Sequence, residues 1–313
     1  MRKSFRTSLA LLVVPGLLFA ACSSDDGDKD GSDSAAATGI PDNATIINAV
    51  ETDEAVASKV PADIAEDGTL TVGNYSQFPP NMFIAEDGET VIGLDNDIMR
   101  AIVKKLGLEL DYREMEFPAL ITSLQSGRVE STISAMFDNA ERQQAIDFVD
   151  YLTTGIALMV QKGNPADVSG PEDLCGRPVA TTTGTSQQKW AEALSEECVA
   201  QGEEAIDLRV TDSDSTNWNQ LRTGRVDVLL QSSLTASYLV KTVDDGTAFE
   251  VVDIPPIDGA PIGIGINKQN PELRDAIAEA LNALIADGTY AEILAAWGNE
   301  AGALEIATVN GGN

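Results

Sequence analysis

The spacing of apolar residues divides this chain into segments of different character. Leu9 to Ala21 is an unbroken apolar run, too short to span a bilayer, and Arg2, Lys3 and Arg6 precede it in the outline of an export signal. Residues 23–39 hold only Ser, Asp, Gly, Ala, Thr and one Lys, a composition that buries too little surface to fold and reads as a flexible spacer. From Leu70 onward, β-rich runs alternate with helical patterns. Leu70 to Gly73 reads as a strand, Asp97 to Leu106 as a helix with one apolar face, and Leu108 to Tyr112 as the next strand. Such alternation predicts an α/β fold with mostly parallel strands.

A weak internal repeat organises the body. Leu124-Gln125-Ser126-Gly127-Arg128-Val129-Glu130 returns as Leu221-Arg222-Thr223-Gly224-Arg225-Val226-Asp227. Each copy predicts a helix stopped by glycine and then a strand, Val129 to Ala135 in the first and Val226 to Gln231 in the second. One supersecondary unit used twice implies two similar α/β lobes. Ligands of such folds sit beyond the carboxyl ends of the strands, so Met136 to Arg142 and Ser232 to Thr235 are expected to face a shared cleft. Near the end of the chain Asn270 caps a helix with Pro271 at its first position. Leu273, Ile277, Leu281 and Leu284 line one face until Gly288, and a shorter helix from Tyr290 to Trp297 stops at Gly298.

Charge and composition narrow the chemistry. Against 20 Lys and Arg stand 50 Asp and Glu, a formal net charge of -30 that disfavours nucleic acid or a bare anionic membrane as partner. The chain has no His, which removes Ser/His/Asp triads, Cys/His pairs and His-based zinc sites. No metal site and no cofactor is expected, and no motif places paired carboxylates for acid–base work. Of the cysteines, Cys22 follows the export signal, and its surroundings Leu18-Phe19-Ala20-Ala21-Cys22 resemble the lipobox of bacterial lipoproteins. That resemblance implies lipidation of Cys22 and a domain anchored to the outer face of the cell membrane; plain secretion with cleavage after Ala21 is the alternative. Cys175 and Cys198 remain as an even pair in an exported chain and are expected to form a disulfide, with two buried free thiols as the other reading.

Gly93-Leu94-Asp95-Asn96-Asp97-Ile98, followed by an amphipathic helix, resembles the signature of family 3 bacterial extracellular solute-binding proteins, the amino-acid receptors of ABC importers. The likeness continues through Phe117 to Leu124, Glu141-Arg142 with Asp147-Phe148, Asp173 to Gly176 with the paired Cys, Gly184-Thr185-Ser186, and Ala286 to Tyr290 with Trp297-Gly298. The fold this implies is α/β and two-lobed, of the type II periplasmic-binding-protein kind. Each lobe is a mostly parallel sheet flanked by helices, and two crossover strands serve as hinge. On that scheme residues 1–21 are the signal peptide, 22–40 the lipidated tether and 41–69 an N-terminal extension. Residues 70–155 with 254–313 form one lobe and 156–253 the other, with crossovers near Gly155 to Val160 and Val251 to Pro255.

The resemblance also assigns a site. Arg142 would clamp a ligand carboxylate with its planar guanidinium, and the turn through Thr185 and Ser186 would meet the same group with backbone N–H donors and a helix dipole, plain N-capping by Thr185 or Ser186 being the compatible other reading. Phe78 and Phe117 would flank the ligand, and the Ala135 carbonyl would accept from its amine. Besides Asn96, which stands where the signature has an apolar residue, three positions at the site depart from the family pattern. Ser232 stands where an acid usually pairs with the α-ammonium, Phe137 where a hydroxyl is usual, and Tyr75 where an acid is frequent. A buried ammonium without a carboxylate is costly, so either Asp138 or Asp214 replaces the missing acid or the solute is not an ordinary α-amino acid. The resulting expectation is a monomeric, non-enzymatic receptor for a small carboxylate-bearing polar solute, handing it to membrane permease subunits. A sensory lipoprotein or an exported dehydratase on the same scaffold are the alternatives.

Overall fold

The computed structural model describes residues 40–313, so the export signal, Cys22 and nearly all of the tether lie outside the described residues. Three short helices open it, α1 (Ala44–Asn48), α2 (Glu54–Ala57) and α3 (Ala62–Asp67). Strand β1 (Thr69–Asn74) then leads into the small antiparallel strands β2 (Gln77–Phe78), β3 (Met82–Ile84) and β4 (Val91–Ile92). Helix α4 (Leu94–Leu106), β5 (Glu109–Glu114), α5 (Ala119–Gln125) and β6 (Ser131–Thr132) complete the first half. The long β7 (Asp147–Gln161) crosses over to β8 (Pro178–Thr182), α6 (Ser186–Ala200), β9 (Asp207–Thr211), α7 (Asp214–Arg222), β10 (Val228–Ser232), α8 (Ser233–Thr242) and β11 (Phe249–Val251). Strand β12 (Ile257–Ile266) returns, and α9 (Pro271–Asp287) and α10 (Thr289–Trp297) close the chain.

The sheet runs β5-β1-β6-β12-β7-β10-β8-β9, with β11 on the side of β7. At one end β1 is parallel to β5 and β6, at the other β8 is parallel to β9 and β10, and β7 with β12 form an antiparallel pair between them. Within β7, Ile156 pairs both with Ile257 of β12 and with Ser232 of β10. Each lobe buries its own apolar faces. Ile98, Ile102 and Leu106 of α4 pack with Leu273, Ile277, Leu281 and Leu284 of α9 in the first, and Val179, Val228, Leu230 and Ala191 pack together in the second.

Several elements differ from their sequence patterns. The strand expected over Val129 to Ala135 shrinks to Ser131 and Thr132, because Ala135 turns into the left-handed region at φ 46° and breaks the ladder. Helix α4 starts at Leu94, earlier than its apolar face suggests. Gly93, its cap, has φ 129°, and a Cβ there would lie 2.2 Å from the Asn81 carbonyl oxygen. Only glycine permits that approach. The two acids that follow point inward. Asp97 accepts from Asn43 Nδ2 and Trp297 Nε1, both at 2.8 Å, so the signature ties the N-terminal helices and α10 to the first lobe.

Cys175 and Cys198 are bonded, with their Cα atoms 5.6 Å apart. The bond ties the segment before β8 to α6.

Candidate ligand cleft

The carboxyl ends of the parallel strands of both lobes meet around one cavity. Phe78, Phe117, Ala135, Phe137 and Arg142 line it from the first lobe, and Thr181, Thr182, Thr185, Ser186, Gln187, Leu230, Gln231, Ser232 and Thr235 from the second. The space between these walls, counting what opens to solvent, is ≈ 390 Å³. The lobes are close together around it.

Arg142 sits in a single helical turn over Arg142–Gln144 and is 8 % exposed. Its Nη1 donates to the Phe137 carbonyl at 2.7 Å and its Nη2 to the Gly184 carbonyl of the other lobe at 2.9 Å. Its guanidinium carbon lies 5.6 Å from the centre of the Phe117 ring, in reach of a cation–π contact. Burial lowers its pKa to about 10, so it stays charged at neutral pH. Two of its five N–H donors are used by these carbonyls.

Phe78 and Phe117 meet edge to face with centroids 5.5 Å apart, and Tyr75 packs its ring 4.9 Å from Phe78. Tyr75 does not line the cavity. It is fully buried, and its hydroxyl donates to the Asp212 carbonyl of the second lobe at 2.7 Å. At a position where the family often has an acid, this chain has an inter-lobe bridge. Such a bond between neutral groups contributes about 1 kcal/mol. Tyr75→Phe is expected to weaken ligand binding by roughly fivefold and to leave the fold intact, read by calorimetry beside a thermal melt; an unchanged affinity would show that the bond does not favour the closed form.

Ala135 owes its unusual backbone to Asp95. That carboxylate is fully buried and accepts from the Ala135 N–H at 2.8 Å, Tyr151 Oη at 2.8 Å and Asn81 Nδ2 at 3.0 Å. Burial raises its pKa, and the three donors oppose the rise. The signature acid thus holds Ala135 at the cavity wall.

The Thr183 to Ser186 turn offers less than its sequence suggests. Thr185 Oγ1 donates to the Thr182 carbonyl at 2.7 Å and accepts from the Gln188 N–H at 3.2 Å, while the Gly184 N–H donates to Gln188 Oε1 at 2.7 Å. Both Thr185 and Gly184 are therefore occupied in capping α6, and the amides of its first turn are the donors that remain. Ser186 Oγ meets Asn139 Nδ2 of the first lobe at 3.4 Å. Ser232 is spent in the same manner, accepting from the Thr235 N–H at 3.1 Å as the cap of α8. Asp138 turns away, accepting from Gln143 Nε2 and the Gly312 N–H, both at 2.8 Å.

Thr235 faces the cavity as the strand ends predict, whereas Thr181, Thr182, Gln187, Leu230 and Gln231 are cavity residues that motif reasoning passed over. Each lies at or just beyond the carboxyl end of β8 or β10, or in the first turn of the following helix, so strand ends alone could have marked them.

Against this geometry the relatives are informative. The sequence model described as bacterial extracellular solute-binding proteins, family 3, matches residues 70–300. The arginine-binding protein ArgT of Corynebacterium glutamicum is 32% identical over 258 residues, covering 82% of each chain. The L-cystine-binding protein TcyJ of Escherichia coli is 30% identical over 246 residues, covering 78% of this chain and 86% of its own. Among solved structures, an ancestral arginine-binding protein bound to arginine superposes with a TM-score of 0.68 at 32% identity, covering 74% of this chain and 98% of that one. An ancestral amino acid-binding protein, a precursor of cyclohexadienyl dehydratase, gives 0.67 at 27% identity over 75% of this chain and 97% of that one. The two-lobed α/β fold, the cleft between the lobes and the match across most of the body agree, and the chain belongs to the bacterial extracellular solute-binding proteins of family 3.

Proposed function

We propose that this protein captures a small carboxylate-bearing polar solute of the amino-acid class between its lobes and delivers it to the permease of an ABC importer, tethered to the membrane through Cys22. The observation that carries the reading is Arg142. It is a charged guanidinium, nearly buried, at the wall of a cavity built from both lobes, with donors left over for a planar anion. Phe117 below it and the first-turn amides of α6 opposite it complete a surface for a carboxylate. A ligand touching both lobes gains all its contacts only when they are together, so binding shifts the population toward the closed form. The names of the relatives, arginine-binding and L-cystine-binding, make amino acids the first solutes to test.

A thermal-shift screen against amino acids, their decarboxylated analogues and small organic acids tests the reading. A ligand at about 100 times its dissociation constant adds about 2.7 kcal/mol, which is several degrees in a body of this size. The expected result is a shift with one or more carboxylate-bearing solutes and none with the decarboxylated counterparts. A protein that answers amines as well as their parent amino acids would rule the Arg142 clamp out.

A further inference from the structure

Beneath the cavity floor lies a carboxylate to which the clamp assigns no task. Asp214, the first residue of α7, is fully buried. Its Oδ1 accepts from Thr182 Oγ1 and from Gln231 Nε2, both at 2.7 Å. Thr182 and Gln231 both line the cavity, one at the end of β8 and the other near the end of β10. Asn217, one turn further along α7, donates to Thr182 Oγ1 at 3.2 Å and steadies the same floor. Tyr75 reaches this corner from the opposite lobe through its bond to the Asp212 carbonyl.

The other oxygen of Asp214 has no hydrogen-bond partner although it is buried. Leaving a carboxylate oxygen dry and unpaired is costly. The groups that face Asp214 are Thr182, Gln231 and Tyr75, and no cationic side chain among the described residues bonds it. Burial accordingly pushes its pKa up to about 7, against two hydrogen bonds that lower it.

We infer that Asp214 supplies the anionic partner for a positively charged nitrogen of the ligand, an ammonium or a guanidinium, reached by way of Thr182 and Gln231. The assignment rests on the cleft being a receptor for a carboxylate-bearing solute. Arg142 and Asp214 then mark the two ends of a zwitterionic ligand, one from each lobe. The acid that Ser232 does not provide comes from the preceding helix, α7, one layer below the cavity wall. A cation arriving in a low-dielectric floor favours the charged form of the carboxylate. Since Asp214 titrates near neutrality, such a ligand drives its proton off, and binding at pH 7 releases protons.

The test is calorimetric titration of the protein and its D214N variant with L-arginine and with L-citrulline, in two buffers of different ionisation enthalpy. Asparagine is neutral and keeps an oxygen for Thr182 and Gln231, and a thermal melt of D214N beside the wild type checks that the floor still folds. The expected result is a loss of tenfold or more in arginine affinity and the disappearance of proton release. If citrulline is spared, the partner is the side-chain guanidinium; if both weaken, it is the α-ammonium. Arginine and citrulline both binding D214N within twofold of wild type would overturn the assignment, as would unchanged proton release. A wild-type protein that binds only amine-free acids would overturn it too but leave the carboxylate clamp standing, and one that binds no carboxylate would overturn both.

Discussion

Replacing Arg142 by alanine is expected to weaken binding of a carboxylate ligand by about 100-fold or more. A charge-assisted hydrogen bond is worth about 1.5–3 kcal/mol, the clamp would make two, and about 2.7 kcal/mol corresponds to 100-fold. The variant also frees the Phe137 and Gly184 carbonyls and removes one of the links between the lobes, so some stability goes with it. Arg142→Lys separates the two effects. Lysine keeps the charge and much of the volume but not the planar fork, and its affinity should fall between the two. The measurement is calorimetric titration with any solute that the thermal screen returns. Binding by Arg142→Ala within about threefold of wild type would mean that the carboxylate is held elsewhere.

Joint replacement of Cys175 and Cys198 by serine is expected to lower the melting temperature by on the order of 6–12 °C. The bridge closes a separation of 23 residues, which in the chain-entropy model is worth about 3 kcal/mol, and a body of this size moves roughly 2–4 °C per kcal/mol. The bond joins the amino end of β8 to the carboxyl end of α6, and the opposite ends of both elements carry the cavity residues Thr182, Thr185 and Ser186. Ligand affinity well below the melting transition should therefore change little, because the packing of Val179 against Ala191 still sets those ends in place. A shift under about 2 °C, or alkylation of both Cys175 and Cys198 in the denatured, unreduced wild type, would show that the thiols are not paired in the folded protein.

The sequence made the elements with strong periodicity legible. Helices α9 and α10 carry their punctuation in Asn270, Pro271, Gly288 and Gly298, and the observed bounds follow it. The pairing of Cys175 with Cys198 followed from their even number and their context. What sequence could not show was where hydroxyls and backbone groups are spent. Thr185 and Ser232 have the right chemistry for a ligand, yet both cap the helices they begin, a local demand no pattern of residue types distinguishes from recognition. Tyr75 looks like a lost ligand contact until its hydroxyl is seen to cross to Asp212. The collapse of the strand after Val129 was equally hidden, since nothing in Ser134-Ala135-Met136 announces a left-handed alanine. Its cause is Asp95, some 40 positions away in sequence.

The continuous sheet has a kinetic consequence. Ile156 is in register with both Ile257 of β12 and Ser232 of β10, and the cavity is walled by Phe117, Phe137 and Arg142 on one side and by Thr182, Gln231 and Ser232 on the other. A solute seated there touches walls from both lobes. Its residence time is then set by how often β7 and β12 flex far enough to part the walls, breaking the Arg142–Gly184, Tyr75–Asp212 and Glu141–Lys189 links together. Solutes that differ in affinity should accordingly differ mostly in departure rate, and a partner that pries the lobes apart would speed release without touching the solute.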